Sequence, residues 1–154
     1  MNIIGLRFFT VYGPWGRPDM ANYKFIDAIM KNEPFKLFNY GNFVRDFTYV
    51  DDIVKSISLL IEKMNAGNKY KNEIFNIGNG SPIIVKDYVH LIEETIQKKG
   101  NYILVEGDKE EMQETYSNSE KLFREINFKP QTSLKKGIEK SIEWYINYKN
   151  DYNE

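Results

Sequence analysis

The 154-residue sequence has no cysteine, which excludes a disulfide framework, a thiolate nucleophile and a cysteine-ligated zinc. Its single histidine, His90, excludes a multi-histidine metal centre and reads as an ordinary helix-face residue. Net charge is nearly nil: 21 basic residues against 22 acidic ones leave -1, so no bulk field draws the chain to nucleic acid or to a membrane surface. No apolar run approaches the roughly 20 residues of a membrane span, and no signal-peptide pattern follows Met1. A cytoplasmic protein without nucleic-acid or membrane partners is expected. Arginine is scarce too. Only Arg7, Arg17, Arg45 and Arg124 occur among the 21 basic residues. In a lysine-rich chain an arginine in a loop suggests a need for its planar fork, though codon bias produces the same pattern. Finally, the 10 glycines never fall into a G-x-G-x-x-G series between a strand and a helix, the spacing that lets backbone approach a dinucleotide pyrophosphate.

What is present suffices for one domain with a genuine core. Aromatic residues make up 15%, which fits a core with a flat-ligand pocket and equally a plain aromatic core. Ile3–Thr10 is an apolar run of strand length without polar alternation, the pattern of a parallel strand covered on both faces. Starting on such a strand suggests a partial chain. The glycine- and proline-broken segment Val11–Asp19 is a loop at the end of that strand, where open α/β sheets bind ligands. Met20–Lys31 has helical spacing, with Asp19 as a cap, and its first residues could aim N–H groups at phosphate. Short strands are expected at Phe35–Phe38, Glu73–Ile77 and Asn101–Val105. Amphipathic helices are expected at Asp52–Met64, Val85–Lys98, Ser119–Ile126 (capped by Ser117 or Ser119) and Leu134–Tyr148. Asn65–Asn72 is a polar connection, and Glu106–Ser117 reads as an exposed acidic loop.

The densest stretch is Asn39–Asp52, NYGNFVRDFTYVDD. Phe47, Tyr49 and Val50 suit a strand, and Asp51 or Asp52 can cap the following helix. Arg45 then sits at a strand mouth beside a helix start. It can hold a phosphate there, or simply pair with Asp46 or Asp51.

This stretch, with GLRFFTVYGPWGRPDMA upstream and FNIGNGSP at Phe75–Pro82, resembles the NAD-dependent epimerase/dehydratase family of extended short-chain dehydrogenases, within it the UDP-glucuronate 4-epimerases. The resemblance covers nearly the whole chain, but only the carboxyl-terminal part of such an enzyme. It implies an α/β fold: the last Rossmann strand and helix plus a small α/β substrate-binding domain, with residues 1–154 as one compact unit and the N-terminal NAD-binding domain absent. It implies a UDP-sugar ligand, UDP-glucuronate or UDP-galacturonate, and NAD as cofactor, bound outside this chain and taking a hydride from sugar C4. It also implies a homodimer when full length. By the resemblance, Arg17 in GRPDM faces the sugar carboxylate and Thr10 touches the same sugar. Arg45 contacts the pyrophosphate and Phe38 lies against uracil. Asp108, in EGD, approaches the ribose, although Glu106, Lys109 and Ser117-Asn118 depart from the family pattern around it. No catalytic residue is assigned to this chain. Tyr145 and Lys149 have Y-x-x-x-K spacing but lie on the terminal amphipathic helix, where chance explains the pair. Dehydration or decarboxylation on the same scaffold, a non-catalytic UDP-sugar module and a purely structural domain are the competing expectations.

Overall fold

The computed structural model describes residues 3–67, 70, 72–108 and 110–152. Parts of the expected 65–72 connection, and Lys109, therefore lie outside the described residues. The expected first strand is two strands. β1 (Ile4–Phe8) pairs in parallel with β6 (Glu73–Ile77), and β2 (Thr10–Tyr12) pairs in parallel with β5 (Phe47–Tyr49). The change of neighbour takes one residue: the Phe9 N–H donates to Ile77 O at 3.2 Å, the Thr10 N–H to Asp46 O at 3.1 Å. β1 is half-exposed rather than covered on both faces, and Phe8 is 50% exposed, because β6 is its one paired strand among the described residues. Ile74 on β6 and Val54 and Ile61 on the neighbouring helix share that exposure.

The remaining strands are parallel with one exception. β3 (Pro34–Leu37) lies along β8 (Asn101–Leu104). The two-residue β4 (Val44–Arg45) is sandwiched between antiparallel β7 (Ile83–Ile84) and parallel β9 (Glu114–Thr115). Phe38 is thus not a strand end. It opens a 3₁₀ turn, Phe38–Gly41, in which Asn39 and Tyr40 are left-handed. The expected acidic loop likewise contains β9, recruited by the Val44 N–H to Gln113 O bond of 2.9 Å.

The helices are α1 (Ala21–Lys31), α2 (Val50–Asn65), α3 (Val85–Ile96), α4 (Glu120–Ile126) and α5 (Leu134–Tyr152). Their apolar stripes form two cores. Tyr12, Ile29, Leu37, Tyr88, Ile92 and Ile138 belong to the core under α1, α3 and α5, while Ile53, Leu60, Phe75, Ile77 and Leu122 belong to the one between α2, α4 and β6. Within the first, Phe47 and Tyr88 stack at 3.9 Å and 3°, with Tyr12 edge-on to both, a favoured quadrupole geometry. The expected caps are corrected. Asp19 pairs with Arg17, and Met20 takes the N-cap position of α1 without a side-chain bond. Val50 already belongs to α2, which puts Asp51 and Asp52 in its first turn rather than at its cap. They face the positive end of the dipole, and Asp52 Oδ2 accepts the Thr132 N–H at 3.0 Å. Ser119 holds the α4 N-cap position, but its hydroxyl accepts the Gly78 N–H instead.

Asp46, between β4 and β5, is fully buried. Its Oδ2 accepts the Gly80 N–H at 2.9 Å, the Ser117 N–H at 3.0 Å and the Ser117 hydroxyl at 2.7 Å. Three segments distant in sequence therefore converge on one carboxylate. Gly78 is required at this junction, since a Cβ there would come within 2.3 Å of Ser117 Oγ and 2.8 Å of Asp46 Oδ2. Removing the carboxylate strands buried donors, so Asp46→Ala is expected to lose about 2–4 kcal/mol in urea unfolding, with Asp46→Asn recovering part of it.

Candidate functional site

The loops at the carboxyl ends of β2 and β3, with β4, surround two adjoining cavities that share Met20 as a wall. The first, about 310 Å³, is lined by Tyr12, Gly13, Trp15, Arg17, Asn22 and Tyr23 among others. The second, about 250 Å³, is lined by Thr10, Lys36, Phe38, Arg45, Phe47 and Glu111 among others. Thr10, Phe38 and Arg45 are thereby brought together, and Arg17 stands in the next hollow. Asp108 joins neither; it is exposed, and its Oδ1 accepts the Glu110 N–H at 3.0 Å.

The two arginines differ in how they are held. Arg45 is only 16% exposed at its side chain. Its Nη1 donates to Val44 O at 2.8 Å and Gln113 O at 3.4 Å, its guanidinium lies 4.9 Å over the Phe43 ring, and its Nη2 meets Glu111 Oε1 at 2.9 Å. Backbone acceptors and a ring fix the fork on one side, and a half-exposed carboxylate occupies the other. Neither expected partner, Asp46 nor Asp51, takes this role: Asp46 is engaged with Ser117 and Gly80, and Asp51 Oδ2 pairs with Lys140 at 3.5 Å. Arg17 is 73% exposed at its side chain and bonds locally, to Asp19 Oδ2 at 3.2 Å and Met20 Sδ at 3.4 Å. The Arg17–Asp19 pair is a solvated one of the kind a better anion can displace, and at Arg45 the half-exposed Glu111 carboxylate is the exchangeable partner.

The loop carrying Arg17 is under conformational constraint. Trp15 is left-handed at φ 59°, a costly backbone for a bulky residue, on the order of 1–2 kcal/mol. Gly13 permits the tight approach to α2, for a Cβ there would lie 2.7 Å from Val50 Cγ1. The chain then enters α1, whose N-terminus has no side-chain cap and opens between the two cavities. Uncapped N–H groups and the positive dipole end favour an anion at that place.

Other features carry no comparable chemistry. A concavity of about 580 Å³ lies beside α4, but its Arg124 and Glu120 pair with each other at 2.6 Å and its Lys129 sits over Phe123. Tyr145 is buried, and its hydroxyl donates to Asp27 Oδ1 at 2.6 Å; burial and then Asp27 push its pKa upward, away from that of a proton-accepting phenolate. Among the described residues no group of three metal-ligating side chains occurs, and no helix is long and apolar enough to cross a membrane. Sequence reasoning missed Glu111 as the partner of Arg45 and Met20 as the shared wall, because neither contact has a local sequence signature.

The pattern of the NAD dependent epimerase/dehydratase family matches residues 1–78. Protein CapI of Staphylococcus aureus is 43% identical, over 94% of this chain and 47% of its own length. UDP-glucuronate 4-epimerase 4 of Arabidopsis thaliana is 38% identical, over 96% of this chain and 37% of its own. Among solved structures, UDP-glucuronic acid 4-epimerase from Bacillus cereus in complex with UDP-glucuronic acid and NAD superposes with a TM-score of 0.88 at 28% identity, over 96% of this chain and 46% of that one. The chain spans about half or less of the length of these relatives. The mixed α/β fold with parallel strands matches that of these extended short-chain dehydrogenases. If Glu111 competes with an outside anion for Arg45, Glu111→Gln should tighten inorganic pyrophosphate binding by roughly two- to fivefold in calorimetric titration, the size of one half-exposed ion pair.

Proposed function

The chain belongs to the NAD dependent epimerase/dehydratase family, and on that footing we propose that it is the nucleotide-sugar-binding portion of a UDP-glucuronate 4-epimerase-like enzyme. The whole enzyme would interconvert UDP-glucuronate and UDP-galacturonate by NAD-mediated oxidation and reduction at C4. Residues 1–154 act in this reading as one substrate-binding unit.

The observation that carries the proposal is the pair of cavities meeting at Met20, each with one arginine. An elongated ligand with an anionic centre and an anionic end suits that arrangement. UDP-glucuronate has both, a diphosphate and a sugar carboxylate. Arg45 is the diphosphate ligand, its fork already oriented by Val44 O and Gln113 O. Phe38, 52% exposed beside it, offers a face to uracil, and base stacking of this kind is worth roughly 1–3 kcal/mol. Thr10 lines the same cavity and meets the sugar, and Arg17 receives the carboxylate. Firm anchoring of the nucleotide leaves the sugar free to present either face, as inversion at one carbon demands.

The described residues do not form a glycine cradle for NAD. The nearest glycine turn, Gly78–Gly80, has its N–H groups committed to Ser119 Oγ, Thr48 Oγ1 and Asp46 Oδ2. None is left to approach a pyrophosphate, and the proposal assigns NAD to residues outside these 154.

Three outcomes test the reading. Incubated with NAD+ and UDP-glucuronate, the purified chain should yield no UDP-galacturonate, and its appearance by chromatography would refute the division of labour. In calorimetric titrations the chain should bind UDP, and Arg45→Ala should weaken it about tenfold or more. Arg17→Leu should leave UDP binding unchanged and remove the extra affinity for UDP-glucuronate. Equal losses for both ligands would remove the carboxylate role of Arg17.

A further inference from the structure

Among the described residues the polar contacts of Arg17 stay within its own loop: its side chain reaches Asp19 and Met20, and its carbonyl accepts the Met20 N–H at 3.0 Å. Besides the approach of Gly13 to α2, this loop makes a long-range aromatic contact. The Trp15 ring lies 5.5 Å from that of Trp144 and 5.9 Å, edge-on, from that of Tyr148, both on α5. Trp144 and Tyr148 in turn stack on each other at 5.3 Å and 29°. α5 thus presents a two-ring platform, and Trp15 rests on it while remaining 73% exposed overall. Trp15 belongs to two linings at once, that of the Arg17 cavity and that of a hollow of about 180 Å³ shared with Trp144 and Tyr148. The left-handed backbone at Trp15 needs an outside contact to persist, because an unrestrained bulky residue relaxes out of that region.

We propose that Trp144 and Tyr148 are positioning residues for Arg17, and that through Trp15 they set the preference for a ligand carrying a carboxylate without touching the ligand themselves. The inference rests on the reading of the cavities given above and deepens it: carboxylate selectivity is written partly in the last helix. The physical basis is the steep geometry of a guanidinium–carboxylate pair, in which a shift of a few tenths of an ångström or a tilt of the fork forfeits the second hydrogen bond. Arg45 is fixed by β4 and does not depend on this platform, so affinity for the diphosphate should be indifferent to it.

The test compares UDP with UDP-glucuronate by calorimetry in the unaltered chain and in Tyr148→Ala, Trp144→Leu and Trp144→Phe. The expected result is unchanged UDP affinity in all four. The advantage of UDP-glucuronate over UDP should shrink about tenfold in Tyr148→Ala and Trp144→Leu and be largely retained in Trp144→Phe, which keeps a ring. Trp15 and Trp144 are the sequence's two tryptophans, so Trp144→Phe also leaves Trp15 as the sole indole. Adding Tyr148→Ala to it should lower the Trp15 fluorescence anisotropy, a reading that needs no ligand. An undiminished UDP-glucuronate advantage in Tyr148→Ala, with Trp15 shown to be released, would overturn the proposal. So would an unchanged anisotropy. If the unaltered chain binds neither ligand, the functional reading of the cavities fails, and the ligand half of this inference fails with it.

Discussion

One buried carboxylate organises the region on which function depends. Asp46 follows Arg45 directly and accepts hydrogen bonds from the glycine turn after β6 and from Ser117 just beyond β9. A buried charge is costly to desolvate, and several well-formed donors are what offset that cost. The compensation here comes from chain segments that otherwise have no reason to meet. Among the described residues Oδ1 of the same group has no hydrogen-bond partner, so Oδ2 accepts the bonds that compensate its burial. Because Arg45 is the neighbouring residue, what holds Asp46 also fixes where the guanidinium emerges. The site inherits its precision from a residue that does not line it.

The two cores explain why the cavities lie where they do. One core supports the half-exposed β1–β6 pair, the other the layer under α1, α3 and α5. The chain changes partner strand from β6 to β5 at Phe9–Thr10, Val11 and Tyr12 then face one core each, and the loop after β2 follows directly. A parallel strand that exchanges neighbours leaves room at its carboxyl end, which is the general reason ligands bind there in α/β proteins. Thr10, at the crossing, and Arg17, in the loop, are both consequences of this one change of direction.

Much of the fold was legible because its signals are local. The stripes of α2, α3 and α5 and the apolar β6 have strong periods, and each appears within a few residues of its expected bounds. The misses come from tertiary competition. Ile3–Thr10 reads as one strand because composition cannot register a change of partner at Phe9. Asp19, well placed as a cap, is claimed by Arg17, and Ser119 is claimed by the Gly78 N–H. β9 is polar and short, and it exists because Val44 and Arg45 provide an edge for it. The cavity residues divide in the same way. Thr10, Phe38 and Arg45 were recognisable from family-like motifs, whereas Glu111 reaches Arg45 only through a loop with no pattern of its own.

That loop has a consequence for how such a site can diversify. β9 is held to β4 by main-chain groups, and Arg45 is steadied by the carbonyl of Gln113 rather than by its side chain. The side chain of Glu111 can therefore be exchanged while the scaffold beneath it keeps its shape, whereas Gln113 Oε1 accepts the Asn39 amide at 2.7 Å and belongs to that scaffold. A lineage carrying this architecture could retune which anions it admits through single substitutions along one ribbon, with little penalty in folding, and successive ligand ranges would be separated by short mutational steps.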